Sequence, residues 1–386
     1  LHKAIRRQRQ MCIRDRDCVI LYFIGLTESY EGEGYDRKNL KIPQNQEELL
    51  AEIAETVGKD HIAAISFGGA PMDFSFEKNV GAILHMYLGG QAVGESVADL
   101  ISGEVNPSGK LAETIPFSEK DTPAWRYFAP PNDDVEYRES IFVGYRYYET
   151  FHVPVKYPFG YGLSYTSFSY SELNVPEVYS GGKIQIRFKI KNIGKVSGAE
   201  IAQLYICPIE SDVIRSHIEL KGFQKIYLYP GEEKEVILEL DERSFSVYDV
   251  EKKAFSMLSG KYQICIGASV HDLQLKANME VVGNSYFRNE RELFPDYFRE
   301  QPHGMEISAE QFYQLLGGEP KHDKEKKRGE YTVYDSYQDV VNVSMFGKFV
   351  RGVVHIGLKI ILRGKSERDP AFKTVSYTHL TLPTNS

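Results

Sequence analysis

The hydrophobic period of the chain changes near Tyr165, and this change restricts the possible folds more than any other feature. Beyond it, apolar and polar residues alternate, as in a strand with one buried face and one face in water. The clearest case is Lys183–Ile190, and the alternation recurs over 202–206, 236–240 and 262–266. Turn signals that contain glycine separate these segments. Short alternating strands between turns predict an antiparallel β-sandwich of immunoglobulin type.

The N-terminal part of the chain has a different pattern. Cys18–Ile24 and Ile62–Phe67 are continuous apolar runs, which are typical of strands buried on both faces. Gln46–Val57 carries apolar residues at helical spacing and is followed by Gly58, a candidate C-cap. The remaining predicted elements are a strand over Val80–Tyr87 and a helix over Gln91–Ile101. Strands that alternate with helices predict a parallel sheet covered by helices. The fold class is therefore α/β followed by all-β.

Composition excludes several classes of protein. The 386 residues carry a formal net charge of −8, so no basic surface for nucleic acid is expected. No uncharged apolar run is long enough for a membrane span. The four cysteines are too scattered to predict a zinc site or a disulfide scaffold, and Cys207 and Cys265 are interpreted as buried thiols in strands.

The loop Glu28–Arg37 is the segment whose side chains are best suited to acid–base chemistry. It follows a predicted buried strand of a parallel sheet, and ligands of such sheets bind at the carboxyl ends of the strands. Several carboxylates lie close together in it, and its glycines allow a tight turn. A partly desolvated glutamate among other carboxylates would have a raised pKa, as a general acid requires. From the pattern alone, a solvated acidic turn is the favoured reading and catalysis is the alternative.

A set of motifs makes the chain resemble the C-terminal part of glycoside hydrolase family 3, the β-glucosidase family. In the loop, Glu33–Arg37 (EGYDR) is followed by Leu40, Ile42-Pro43 and Gln46. Asn106–Leu111 (NPSGKL) and Tyr137–Tyr148 (YRESIFVGYRYY) resemble two further family segments, although Ser140 stands where the family usually has Gly. The remaining motifs are Pro158–Phe168 (PFGYGLSYTSF), Gln203–Tyr205, Glu219–Phe223 and Leu228–Gly231, the last three in a fibronectin type III-like domain.

The resemblance implies a retaining exo-β-glycosidase that uses two carboxylates about 5 to 5.5 Å apart. It implies that Glu33 is the general acid/base, with Glu31 as the fallback. Tyr35 is expected to line the subsite beyond the scissile bond, and Asp36 and Arg37 are expected to shape the loop. The nucleophile is expected on an N-terminal barrel domain that is absent from this chain. No cofactor and no metal are implied, because two carboxylates suffice for the reaction.

The resemblance also suggests how the chain is divided. The predicted divisions are 17–156 (second half of the family's α/β sandwich domain), 157–168 (a packed connector), 169–283 (the fibronectin type III-like domain) and 284–374 (a C-terminal extension). Residues 1–16 and 375–386 resemble translated adaptor sequence and are expected to be foreign, the alternative being a genuine tail at each end. The natural protein is expected to extend upstream. The apolar residues of 345–354 follow helical spacing, which predicts a docked amphipathic helix rather than a membrane anchor.

The expected partners are a β-glucoside or β-linked oligosaccharide and the barrel domain of the same protein, and a homo-oligomer stays open. Xylosidase or arabinofuranosidase activity would suit the same architecture. Reduced cysteines favour a bacterial cytoplasm only weakly. The aromatic segment Tyr137–Phe168 is predicted to form interdomain core, with a sugar-stacking platform as the alternative. The competing reading of the whole chain is a non-catalytic carbohydrate-binding or scaffolding module.

Overall fold

The computed structural model describes residues 19–27, 30–32, 37, 39–128, 135–283, 289–299, 304–319 and 345–361. The chain divides into two compact units, one of residues 1–90 and 321–386 and one of residues 91–320. The domain boundaries given above remain predictions.

The first unit contains a three-stranded parallel sheet with the strand order β1-β2-β3. Its elements are β1 (Ile20–Gly25), α1 (Gln44–Val57), β2 (Ile62–Phe67) and β3 (Ala82–His85), with 3₁₀ turns at Lys59–His61 and Ser75–Asn79. The register pairs Ile20 with Ile62 and Ala63 with Ala82. The parallel sheet predicted for this part of the chain is therefore confirmed. Strand β3 is shorter than predicted because Tyr87 has a φ of 50°, a left-handed backbone conformation that does not continue a strand.

Helix α1 shows how local sequence sets the bounds of an element. Pro43 lies just before the helix with a φ of −55°, and its carbonyl accepts a hydrogen bond from the Gln46 N–H at 2.9 Å. The helix therefore begins two residues earlier than predicted. It ends at Gly58, whose φ of 84° favours glycine and whose N–H donates to the Ala54 carbonyl at 2.9 Å. Leu50 on its inner face is fully buried.

Strand β1 corrects one prediction. A continuous apolar run predicted burial on both faces, but Leu21 is 41% exposed and Phe23 is 58% exposed, whereas Ile24 is buried. In the described residues β1 is covered on one face, and β2 is the strand whose residues are mostly buried. An apolar run indicates which residues favour burial, but it does not show whether a second layer is present to cover both faces of the strand.

The second unit begins with short elements that precede a sandwich. They are α2 (Val93–Ser102), β4 (Ile115–Pro116), a 3₁₀ turn (Glu119–Asp121), α3 (Tyr145–Thr150) and β5 (Val155–Tyr157), and β4 pairs with β5. Gly103 ends α2 in a left-handed conformation with a φ of 83°, as its position after the predicted helix suggested.

The second unit continues as a β-sandwich that is antiparallel apart from one short parallel pairing at a sheet edge, which confirms the all-β prediction. One sheet has the order β10-β9-β14-β15-β7 and the other has the order β11-β8-β6. The strands are β6 (Phe168–Asn174), β7 (Val178–Tyr179), β8 (Ile184–Asn192), β9 (Gly198–Pro208), β10 (Glu219–Leu228), β11 (Glu233–Leu240), β12 (Ser246–Asp249), β13 (Ala254–Met257), β14 (Gly260–Gly267) and β15 (Leu273–Val281). A 3₁₀ turn spans Glu242–Phe245. Ile186, Phe188 and Ile190 of β8 point into the core, as their alternation with polar residues predicted.

Several aromatic residues of the segment Tyr137–Phe168 lie in the core of the second unit, and that this core is interdomain stays a prediction. Phe142, Tyr147 and Phe151 are buried in one cluster with Phe294 and Tyr297. Tyr137 is an exception, since it is 71% exposed. The chain after the sandwich adds α4 (Glu290–Leu293), a 3₁₀ turn (Pro295–Phe298) and α5 (Ala309–Leu316), which complete this cluster.

The segment Asn106–Leu111 has a structural role in the second unit. Asn106 Oδ1 accepts hydrogen bonds from the Ser164 hydroxyl and the Tyr165 N–H, and its Nδ2 donates to the Ser197 carbonyl. Lys110 Nζ lies 2.9 Å from Glu200 Oε1 in a nearly buried ion pair. Burial raises the pKa of Glu200, and Lys110 opposes that rise.

The amphipathic helix predicted near the C-terminus is present as α6 (Met345–Ile361), and its Val350 is half-buried, but the prediction that the helix is docked is wrong for six other described apolar side chains. These side chains are exposed: Met345, Phe346, Phe349, Val353, Ile356 and Ile360. Helical spacing predicts the face but not a partner for it. No described helix has the length and apolar character needed to cross a membrane.

Candidate active site

The candidate site lies in the first unit, where the strands of the parallel sheet end. Gly25 closes β1, and a Cβ there would lie 2.6 Å from the Phe67 carbonyl oxygen, so only glycine fits. The Gln46 side chain holds this strand end through two hydrogen bonds, since it accepts from the Gly25 N–H at 3.0 Å and donates to the Gly25 carbonyl at 3.1 Å. Gln46 thus fixes the point from which the acidic loop leaves the sheet.

Glu31 is the described carboxylate of that loop. The N–H groups of Tyr30 and Glu31 both donate to the Thr27 carbonyl, at 2.7 and 3.0 Å, which makes a tight turn after β1. Glu31 Oε2 accepts a hydrogen bond from the Gly69 N–H at 3.1 Å. Its other oxygen, Oε1, is buried and has no hydrogen-bond partner among the described residues. The carboxylate is therefore held against the loop that follows β2.

Arg37 returns the acidic loop to the same place. Its Nη2 donates to the Pro71 carbonyl, and its Nη1 is buried without a hydrogen-bond partner in the described part of the chain. Burial lowers the pKa of the guanidinium, and the nearby Glu31 and Asp73 carboxylates raise it. Glu31 and Arg37 thus both attach the loop to one short segment after β2, residues 69–71.

Glu33, Tyr35 and Asp36 lie outside the described residues, so their predicted roles stay predictions. The residues that flank them, Glu31 and Arg37, both form hydrogen bonds with the segment 69–71.

A hydrogen-bonded pair of a buried serine and a half-buried histidine was not singled out from the sequence. Ser66 in β2 and His85 in β3 are register partners, and Ser66 Oγ lies 2.9 Å from His85 Nδ1. Burial lowers the pKa of His85 to about 4, so the imidazole is neutral at pH 7. The ring packs against Tyr87, with centroids 4.0 Å apart. Ser66 is fully buried, which excludes attack on a substrate.

The chemistry available to the described residues is that of carboxylate and guanidinium groups at a strand edge. No group of three His, Cys, Asp or Glu side chains in the described part could hold a metal ion. Glu31 has one buried oxygen without a hydrogen-bond partner among the described residues, and it lies on a loop at the carboxyl ends of parallel strands, which suits proton transfer to a ligand bound there.

Comparisons with known proteins place these observations in a family. Residues 7–165 match the glycosyl hydrolase family 3 C-terminal domain, and residues 200–270 match a fibronectin type III-like domain. Thermostable beta-glucosidase B of Acetivibrio thermocellus is 44% identical over 265 residues, which are 68% of this chain and 35% of that protein. An exo-alpha-(1->6)-L-arabinopyranosidase of Bifidobacterium breve is 37% identical over 266 residues, 69% of this chain and 35% of that protein. The chain thus spans about a third of the length of these relatives.

Solved structures agree with the sequence relatives. The GH3 beta-glucosidase of Bifidobacterium adolescentis has a TM-score of 0.68 and 35% identity, over 74% of this chain and 42% of that one. The beta-glucosidase of Kluyveromyces marxianus in complex with glucose has a TM-score of 0.66 and 34% identity, over 73% of this chain and 34% of that one. The α/β region is thus similar to the C-terminal domain of glycosyl hydrolase family 3, and the sandwich that follows it is similar to a fibronectin type III-like domain.

Proposed function

We propose that this chain supplies the general acid/base of a retaining exo-β-glycosidase that releases terminal non-reducing β-D-glucosyl residues. Glu33 is the proposed residue, and Glu31 is the fallback. The observation that carries the proposal is the anchoring of the acidic loop. Glu31 and Arg37 lie on either side of Glu33 in sequence, and both bind the segment 69–71 at the carboxyl ends of the parallel strands.

The proposed chemistry needs two carboxyl groups with different protonation. The acid protonates the glycosidic oxygen as the leaving group departs, while a carboxylate nucleophile forms a glycosyl-enzyme intermediate. The same group of this chain, now ionised, then takes a proton from the attacking water. The nucleophile would come from the proposed barrel domain of the whole protein. Asp36 and Arg37 shape the loop, and Tyr35 lines the subsite beyond the scissile bond.

The proposed sugar is glucose. Support comes from relatives named as β-glucosidases and from family structures solved with glucose. The arabinopyranosidases among the relatives mark a second sugar class that this architecture accepts.

The test is a chimera in which this chain replaces the matching third of the Acetivibrio thermocellus enzyme. We expect Glu33→Gln to lower kcat on cellobiose, a substrate with a poor leaving group, by about 100-fold or more, because general acid catalysis contributes that much. A dinitrophenyl β-glucoside needs no leaving-group protonation, so its glycosylation step should be spared. Added azide, which needs no general base, should then restore its turnover.

Two variants complete this experiment. Glu55→Gln removes an exposed carboxylate of α1 and should leave both substrates unchanged. Glu31→Gln tests the fallback. If Glu33→Gln lowers the turnover of both substrates equally even with azide present, Glu33 is not the acid/base. If Glu31→Gln lowers turnover of cellobiose but not azide-assisted turnover of the aryl glucoside, the role belongs to Glu31.

A further inference from the structure

Two cysteines far apart in sequence meet in the sandwich of the second unit. Cys207 lies near the end of β9 and Cys265 lies in β14, which is its antiparallel neighbour. The register pairs Cys207 with Gln263 and Cys265 with Tyr205, so the cysteines occupy diagonal positions on one face. Their sulfur atoms are 3.7 Å apart. A disulfide bond is about 2 Å long, so the two sulfurs need to approach by about 1.7 Å.

The surroundings give the two sulfurs different access. Cys265 is fully buried beside Tyr145 and Tyr205, whereas Cys207 is partly exposed. A reagent in solution therefore reaches Cys207 first. Cys265 stands behind it as the second thiol.

The surroundings favour the thiolate on Cys265 and the thiol on Cys207, because the hydrogen bond to Cys265 and burial raise the pKa of Cys207. A hydrogen bond from the Cys207 thiol lowers the pKa of Cys265, burial raises it, and Lys276 lowers it. Lys276 is the register partner of Cys265 on β15. A cation next to a cysteine favours the thiolate, the form that attacks disulfides.

We propose that Cys207 and Cys265 are a redox modification site that forms a reversible disulfide between β9 and β14. The oxidant is a small-molecule disulfide such as oxidised glutathione. The Cys207 thiol passes its proton to Cys265 as its sulfur attacks one sulfur of the oxidant, which forms a mixed disulfide and releases one glutathione as a thiolate. Cys265 then gives this proton to the released glutathione, and its thiolate attacks Cys207 Sγ, forms the internal bond and releases the second glutathione. Two electrons pass from the cysteines to the oxidant, and their two protons end on the released thiols.

The test uses the full chain with Cys12 and Cys18 replaced by alanine, so that the two sandwich cysteines are the remaining thiols. The protein is incubated with oxidised glutathione, its remaining thiols are alkylated, and it is digested without reduction for mass spectrometry. We expect a peptide pair linked through Cys207 and Cys265, and alkylation of Cys207 that falls by about tenfold or more and returns after dithiothreitol.

Cys207→Ala separates this route from direct oxidation of the buried thiol. Because Cys265 is buried, we expect no glutathione adduct on it in this variant. If the variant does not fold, the peptide map of the parent protein still decides the question. The proposal is overturned if oxidation stops at a glutathione adduct on Cys207, or if both thiols remain free under conditions that oxidise an unfolded control of the same chain.

Discussion

A neutral imidazole lies at the end of the third strand in the first unit. His85 packs against Tyr87 and Phe74, and Nδ1 faces the buried Ser66 hydroxyl. Its Nε2 is buried and has no partner among the described residues. A proton on this ring would place a charge where little water can solvate it, and this is why burial lowers the pKa of His85 to about 4.

This burial predicts a pH dependence of stability. The folded state keeps His85 unprotonated down to about pH 4, whereas in the unfolded chain it gains a proton near pH 6.5. Its contribution to the free energy of unfolding is therefore complete above pH 6.5 and is lost as pH falls toward 4. We expect His85→Asn to flatten the pH dependence of the urea midpoint between pH 7 and pH 4.5, measured by circular dichroism. His61→Asn, at an exposed histidine, should keep the parent slope. An unchanged slope in His85→Asn would contradict the assignment.

Residues of the site differ in how well sequence predicts them. The acidic loop is contiguous, so its composition indicated the segment and the family resemblance indicated Glu31 and Arg37 within it, and the structure brings both to residues 69–71. Ser66 and His85 are 19 residues apart, and only the pairing of β2 with β3 brings them together. A contact made by sheet register leaves no local signal in one sequence.

The connector between the predicted domains, 157–168, is held by close backbone contacts. Gly160 has a φ of 79°, and a Cβ on it would lie 2.1 Å from Gln203 Oε1. Gln203 Nε2 donates to the Gly160 carbonyl at 3.1 Å and to the Ala268 carbonyl at 2.7 Å. The Gly160 N–H donates to the Leu111 carbonyl. The connector thus packs against β9 and the segment 106–111 within the second unit.

At this element we expect Gly160→Ala to lower the free energy of unfolding by about 2 to 4 kcal/mol, because a strained φ adds to a clash with a buried side chain. Gly109→Ala is the matched control. A Cβ on Gly109 meets no heavy atom within 4 Å, so its effect should stay within about 0.5 kcal/mol. Urea unfolding followed by circular dichroism measures both. Equal stability of the two variants would show that the connector yields to accommodate a methyl group.

Elements with a strong period were predicted best. The alternation of β8 and β11 gave the sandwich, and helical spacing with Gly58 gave α1. The predictions failed where the element needs a partner to define it. The second face of β1 and the apolar face of α6 are exposed, because sequence records a preference for burial but not the surface that provides it.

The whole chain corresponds to about a third of its curated relatives, and its two matched domains account for residues 7–165 and 200–270. If Glu33 is the acid/base and the nucleophile comes from the proposed barrel domain, half of the carboxylate pair is outside this chain. A lone acid cannot form the glycosyl-enzyme intermediate.

We therefore expect the purified 386-residue chain to show no turnover of an aryl β-glucoside above the buffer blank. The chimera described above is the positive control for the assay. Affinity electrophoresis in a β-glucan gel tests the competing reading, since a carbohydrate-binding module would be retarded without any barrel. Turnover by the isolated chain would contradict the proposal that the nucleophile lies outside it.

The pairing of β9 with β14 also bears on how the sandwich folds. Cys207 and Cys265 are 58 residues apart in sequence, whereas the pairs β9–β10 and β14–β15 join strands that follow one another along the chain. Closing a long loop costs chain entropy before its contacts offset that cost, so distant pairings tend to form late. The two thiols come within 4 Å only when this long-range pair has closed. The loss of reactivity of the buried Cys265 thiol during refolding would therefore time the closure of this strand pair, using a reporter that the chain already contains.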